Sequence, residues 1–225
     1  MLVSMWMTRG VAVIPATMTI ADAAAEMSCR DVRRLPVVEP GLGGPRLVGI
    51  VSLIDLVRAF PADVNPLSPV AADRGPRQPV AGIMTRDPLT IAPDAPLEEA
   101  ARMMLEHRIG GLPVVRDGAI VGILTESDIF RALVETIASS VPTVRVTFVL
   151  SEGEDVASFL AGLGRRPDLG VVSALTFDHE GRRLGVIRMT GPGAEPFVED
   201  LWDSGHQVLS VLRIGLPPDE SEPPA

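Results

Sequence analysis

Cysteine is almost missing from this chain: Cys29 stands alone among 225 residues, so no internal disulfide can form. That suits a reducing compartment. Cys29 follows an apolar helical pattern with no histidine beside it and reads as a buried structural thiol. Histidine is sparse too, with His107, His179 and His206 scattered and none at a spacing suited to zinc. Positive charge is short: 20 Lys and Arg against 29 Asp and Glu leave a formal net charge of −9. A stripe able to neutralise a phosphate backbone is not expected, and nucleic acid is a poor partner. The longest apolar stretch, VAVIPATMTIADAAAEM over 11–27, is broken by Pro15, Asp22 and Glu26. It falls short of the roughly 18–20 apolar residues that cross a bilayer. The opening MLVSMWMTRG lacks the basic leader and cleavage site of a secretory signal. A cytoplasmic protein that does not engage a membrane is the expectation. Phosphate-cradling glycine motifs are absent, and nothing in the chain activates a nucleophile or a water, so no enzyme activity is expected.

What is present is a globular composition, 46% hydrophobic and 22% charged, and an internal repeat. Met7-Thr8-Arg9 recurs as Met84-Thr85-Arg86, and Leu35-Pro36-Val37-Val38 recurs as Leu112-Pro113-Val114-Val115, both 77 residues on. Beyond these the spacing is 73: Gly49 meets Gly122, Asp55 meets Asp128, and Arg58-Ala59 meets Arg131-Ala132. The change falls in 39–46 against 116–119, rich in glycine and proline, as a surface hairpin tolerates.

Each copy reads as strand, helix, strand, strand, helix. Ile20, Ala23, Ala24 and Met27, and likewise Leu97, Ala100, Ala101 and Met104, keep the i, i+3, i+4, i+7 spacing of an amphipathic helix. Asp117-Gly118 marks a hairpin turn before the next apolar strand. The last helix of each copy opens at Ser52-x-x-Asp55 or Thr125-x-x-Asp128, a helix-capping pattern. The methionines, including Met5, Met7, Met27, Met103 and Met104, read as core filler. The copies occupy 1–60 and 80–138, joined by a proline-rich linker over 61–79.

Two copies each ending G-I-[VL]-[ST]-x-x-D resemble a tandem pair of CBS domains. That resemblance implies an α/β fold in which two β-α-β-β-α repeats pack as a pseudo-twofold pair around two clefts. It also implies an adenosine ligand: AMP, ADP, ATP or S-adenosylmethionine, with magnesium accompanying the phosphates. The residues fit such a ligand. An open helix start and the hydroxyl of Ser52 or Thr125 suit a phosphate. Asp55 or Asp128 suits a ribose diol, since a carboxylate accepts two hydrogen bonds. An apolar slot for adenine would come from Val13-Ile14, Thr90-Ile91, Leu35-Pro36 and Leu112-Pro113. Arg34, with Arg33, offers positive charge where the second copy has Gly110-Gly111. Thr125-Glu-Ser-Asp128, with polar residues between its ends, is the expected cleft. Leu53 and Ile54 suggest that the Ser52–Asp55 element is buried and ligand-free. Arg58 and Arg131 sit at i+3 from the acids, where an ion pair is expected.

Residues 143–215 change pattern. Strands at 143–150, 170–177, 184–189 and 207–214, with helices at 154–163 and 195–205, give the β-α-β-β-α-β order of a ferredoxin-like unit. It resembles an ACT domain, which implies dimerisation or a second small effector. Trp202 reads as a packing residue on a helix flank. A CBS pair followed by such a unit is similar to acetoin-utilisation regulatory proteins, implying a homodimeric regulator of an enzyme or transporter. The alternative is a scaffold with empty clefts. The acidic, proline-rich tail at 216–225 is expected to be disordered.

Overall fold

The computed structural model describes residues 1–41, 45–59, 77–137, 141–151, 153–154, 159, 161, 163 and 165–215. Most of the expected linker, most of the expected 154–163 helix and the 216–225 tail lie outside the described residues. The chain divides into two compact units, Met1–Leu133 and Val134–Ala225.

In the first unit, α1 (Val3–Trp6) precedes β1 (Ile14–Pro15), α2 (Ile20–Arg30), β2 (Arg34–Glu39), β3 (Arg46–Ser52) and α3 (Leu53–Ala59). The second repeat supplies β4 (Thr85–Arg86), α4 (Leu97–His107), β5 (Gly111–Arg116), β6 (Ala119–Thr125) and α5 (Glu126–Ile137). The strands run β1-β2-β3-β6-β5, with β4 also on β3. The halves match in detail. Ile14 pairs in parallel with Val37, as Ile91 does with Val114. The register irregularity between Val37 and Val38 recurs between Val114 and Val115. Asp117 and Gly118, both at positive φ, turn the expected hairpin.

The lead-in segments are exchanged between the halves. Thr85 pairs with Ile50 of the first repeat, and Thr8 with Ile123 of the second. Val80 and Met84 accordingly pack with Ile14, Ile20, Met27 and Leu35. Val3 and Met7 pack with Ile91, Leu97, Met104 and Leu112. In each lead-in the two apolar side chains lie four residues apart, on one face of a helical turn. The exchange also explains the recurrent glycine of the third strand. A Cβ on Gly122 would stand 2.8 Å from the Met7 sulfur and the Thr8 carbonyl, and one on Gly49 would collide with Met84. Only glycine admits the crossing segment this closely.

The second unit has β7 (Thr143–Val149), β8 (Gly170–His179), β9 (Arg182–Thr190), α6 (Ala194–Asp203) and β10 (Val208–Ile214). Its antiparallel sheet runs β10-β7-β9-β8, the strand order of a ferredoxin-like unit. Val144, Val146, Phe148, Ile187 and Met189 form its core with Phe197, Val198 and Leu201 of α6. Arg213 donates to both carboxylate oxygens of Glu195 at 2.8 and 3.0 Å, tying β10 to α6.

Three expected burials are overturned. Cys29 is exposed, because α2 buries Ile20, Ala23 and Met27 and turns position 29 to solvent. Met5 is 67% exposed, on the outer side of the short α1. Trp202 is 53% exposed, one position beyond the buried Leu201. Met7, Met27 and Met104 are in the core as expected.

Candidate functional site

Both S/T-x-x-D elements close on themselves at a strand-to-helix junction, and the Ser52–Asp55 element does so reciprocally. The Ser52 N–H and hydroxyl donate to Asp55 Oδ2 at 2.8 and 2.5 Å, and the Asp55 N–H reaches the Ser52 hydroxyl at 3.4 Å. The Thr125 N–H and hydroxyl donate to Asp128 Oδ2 at 2.9 and 2.7 Å. The helix starts are less open than their sequence suggests. The first N–H of α3, from Leu53, donates to the Arg33 carbonyl at 2.9 Å, and that of α5, from Glu126, to the Gly110 carbonyl at 3.3 Å.

The elements then diverge. Asp128 is only 6% exposed, and Arg131 donates to its Oδ1 at 2.9 Å, the expected i, i+3 pair. The same Arg131 nitrogen also donates to the Trp6 carbonyl at 3.0 Å, bridging the two acceptors. Asp55 is half-buried and lines a cleft of about 760 Å³. That volume falls within the range of small-molecule sites.

The first repeat gives this cleft Arg33, Arg34, Ile50, Ser52, Leu53, Ile54, Asp55 and Val57. The exchanged lead-in adds Thr85, Asp87, Pro88 and Leu89, and the turn after α4 adds Arg108, Ile109, Gly110 and Gly111. Leu53 and Ile54 are 46% and 44% exposed. The reading of them as buried packing is corrected: they are apolar walls of the cleft. Three arginines face two carboxylates, Asp55 and Asp87, in a chain whose net charge is −9. Burial pulls the Arg34 guanidinium below the usual arginine range. Glu126 and Asp55 oppose that shift, and neighbouring Arg33 adds to it.

Of the residues singled out from sequence, the cleft brings together Ser52, Asp55, Arg34 and Gly111. Thr125 and Asp128 are not in its lining. Ile14 and Ile91 are core residues at 1% and 6% exposure, and Pro36 and Pro113 are buried in β2 and β5. Thr90 is exposed but outside the lining. Val13 lines a separate hollow of about 280 Å³ with Gly10, Val11, Pro45 and 119–122. These residues do not line the large cleft, because Ile14, Ile91, Leu35 and Leu112 are in the core and Pro36 and Pro113 are buried with them. Sequence reasoning missed Leu53, Ile54, Pro88, Leu89 and Arg108. The available signal was Asp87-Pro88-Leu89 directly after the repeated Met-Thr-Arg, once the lead-ins are understood to cross.

Among the described residues there is no cluster of three or more metal-ligating side chains, and no helix is long and apolar enough to cross a membrane. In the second unit His206 contacts Ser204 at 2.7 Å and both oxygens of Glu154 at 3.1 Å. The Ser204 hydroxyl donates to the Leu201 carbonyl at 3.0 Å, so it closes the end of α6 and its proton is already committed. The hollow of about 140 Å³ in this unit is lined by none of the three.

The profile of the CBS domain matches residues 3–62 and 80–135, just over half of the chain. The chain belongs to the CBS-domain family. The uncharacterized protein MJ1225 of Methanocaldococcus jannaschii is 31% identical over 205 residues, covering 80% of this chain and 65% of that protein. The CBS domain-containing protein YhcV of Bacillus subtilis is 31% identical over 55% of this chain and 79% of its own length. An A-adding tRNA nucleotidyltransferase of Aquifex aeolicus is matched over only 13% of its length. The chain thus spans less than two thirds of the first of these relatives and a small part of the last. Among solved structures, the acetoin utilization protein AcuB of Vibrio cholerae is 32% identical with a TM-score of 0.50, over 60% of this chain and 91% of that one. A structure of CBSX2 in complex with AMP is also 32% identical with a TM-score of 0.50, over 60% and 96%.

Proposed function

We propose that this chain is a non-catalytic ligand sensor whose Ser52–Asp55 cleft takes an adenosine nucleotide. The observation that carries the reading is the sorting of chemistry within one cleft of about 760 Å³. Ile50, Leu53, Ile54 and Leu89 offer an apolar slot to adenine. Asp55 lies beside them as an acceptor for ribose hydroxyls, and a carboxylate bonded at one oxygen retains lone pairs to offer. Arg33 and Arg108, both exposed, suit phosphates. The AMP complex of CBSX2 supports a nucleotide of this class. Three arginines against two carboxylates favour an anionic nucleotide over S-adenosylmethionine, whose sulfonium is positive. Magnesium would enter with the phosphates of a di- or triphosphate. Binding shifts the relative pose of the repeats, for which a differential affinity of about 1–3 kcal/mol suffices.

The second unit then serves as an ACT-type module for homodimerisation, a second effector, or docking to a regulated enzyme or transporter. Its strand order supports the reading, as do Leu175, Phe177 and Leu212, exposed by 43–45% on the sheet. The scaffold alternative, with empty clefts, is favoured by Phe130, 66% exposed on α5. Isothermal titration with AMP, ADP, ATP and S-adenosylmethionine separates sensor from scaffold. The phosphorylated ligands should bind at least tenfold more tightly than S-adenosylmethionine. Folded protein that gives no heat with any of the four would end the sensor reading.

A further inference from the structure

The 77-residue spacing places Gly110-Gly111 of the second repeat where the first has Arg33-Arg34, and Asp31 where the second has Arg108. On the Ser52 side the two glycines line the open cleft, whose edge Arg34 also borders. On the Thr125 side the matching residue is Arg34. Its side chain lies over both glycines: a Cβ on Gly110 would overlap the guanidinium, and one on Gly111 would stand 3.3 Å from Arg34 Cδ. The same Gly110 Cβ would stand 2.9 Å from Glu126 Oε2. Glu126 follows Thr125 as Leu53 follows Ser52, so an acid replaces an apolar cleft wall and attracts the arginine. Asp128, meanwhile, has both oxygens engaged, Oδ2 by Thr125 and Oδ1 by Arg131. The hollow of about 280 Å³ formed by Gly10, Val11 and 119–122 includes none of Thr125, Glu126 or Asp128. It is below the usual size of a ligand pocket.

We infer that each chain holds a single nucleotide, in the Ser52–Asp55 cleft, and that its own Arg34, drawn to Glu126 over Gly110-Gly111, closes the second cleft. This rests on the nucleotide reading above. Arg34 is therefore a specificity-determining residue for the number of sites, acting as a built-in cationic occupant that a ligand would have to displace.

Native mass spectrometry and isothermal titration with AMP and ATP test it. Wild-type protein should take one nucleotide per chain. The double variant Arg34→Gly/Glu126→Leu gives the second cleft the residues of the first at these two positions, and should take two. Adding Asp128→Ala to it should return the count to one, while Asp128→Ala alone should leave one. Arg34→Ala provides a second route to an opened cleft, and circular dichroism checks that each variant is folded. Two nucleotides on the wild type, or one on folded forms of both opened variants, would overturn the inference and leave the nucleotide reading standing. No nucleotide on the wild type would remove the reading itself.

Discussion

Ser52–Asp55 and Thr125–Asp128 end equivalent strands, start equivalent helices and share two of the same internal hydrogen bonds, yet only the first borders the large cleft. The difference lies in what surrounds them. The first shares its cleft with Gly110, Gly111, Arg33, Arg34 and Arg108; the second carries its own glutamate, which lies with the Arg34 guanidinium over Gly110. A motif repeated in register thus borders a wide cleft in one copy and holds a buried, ion-paired aspartate in the other. The lesson is that a capping box reports a helix start reliably, whereas its role in binding is decided by residues one repeat away.

The comparison can be broken at several depths. The largest effect is expected where the repeats hold one another. Met84→Ala and Met7→Ala each empty a crossing anchor that is no more than 9% exposed, and each should cost about 2–4 kcal/mol by chemical denaturation. Equal losses would confirm that the exchange is symmetric, and a loss under about 1 kcal/mol from either would make that lead-in peripheral. The acids come next. Asp128→Ala abandons a buried cap and leaves Arg131 without its carboxylate, for an expected cost of about 1.5–3 kcal/mol. Asp55→Ala, at a half-buried site, should cost about 1 kcal/mol of stability. A larger loss from Asp55 would contradict the division of roles. The hydroxyls follow: Ser52→Ala and Thr125→Ala should each cost about 1 kcal/mol, since both cap a helix in the same manner. Smallest in stability is Leu53→Ala, expected within about 0.5 kcal/mol because the side chain is 46% exposed. The same change should weaken nucleotide binding severalfold, and unaltered affinity would remove Leu53 from the adenine slot.

Much of the fold was legible because periodicity and turn chemistry agree locally. The helices at Ile20 and Leu97, the Asp117-Gly118 hairpin and the ferredoxin-like order all follow from patterns within a few residues of one another. The crossing of the lead-ins was not legible. Met7-Thr8-Arg9 and Met84-Thr85-Arg86 are identical, so nothing in either says which core receives it. That one ambiguity hid Pro88, Leu89 and the true cleft walls. Apolar residues between the ends of Ser52–Asp55 suggested burial, while polar ones in Thr125–Asp128 suggested a wet cleft. The structure overturns the first: Leu53 and Ile54 are exposed, while in the second element Asp128 is buried. Leu53 and Ile54 line the large cleft, whereas Glu126 lies with the Arg34 guanidinium over Gly110. Polarity along one helix could not reveal a partner 92 positions away, from Arg34 to Glu126.

The most direct test is a parallel titration of Asp55→Ala and Asp128→Ala with ATP under matched salt. Loss of one charge-assisted bond to a ribose is worth about 1.5–3 kcal/mol. Asp55→Ala should therefore bind on the order of 10–100-fold more weakly than wild type, and Asp128→Ala should keep wild-type affinity in its folded fraction. The opposite ranking, with Asp128→Ala crippled and Asp55→Ala intact, would place the ligand in the other cleft and contradict the account.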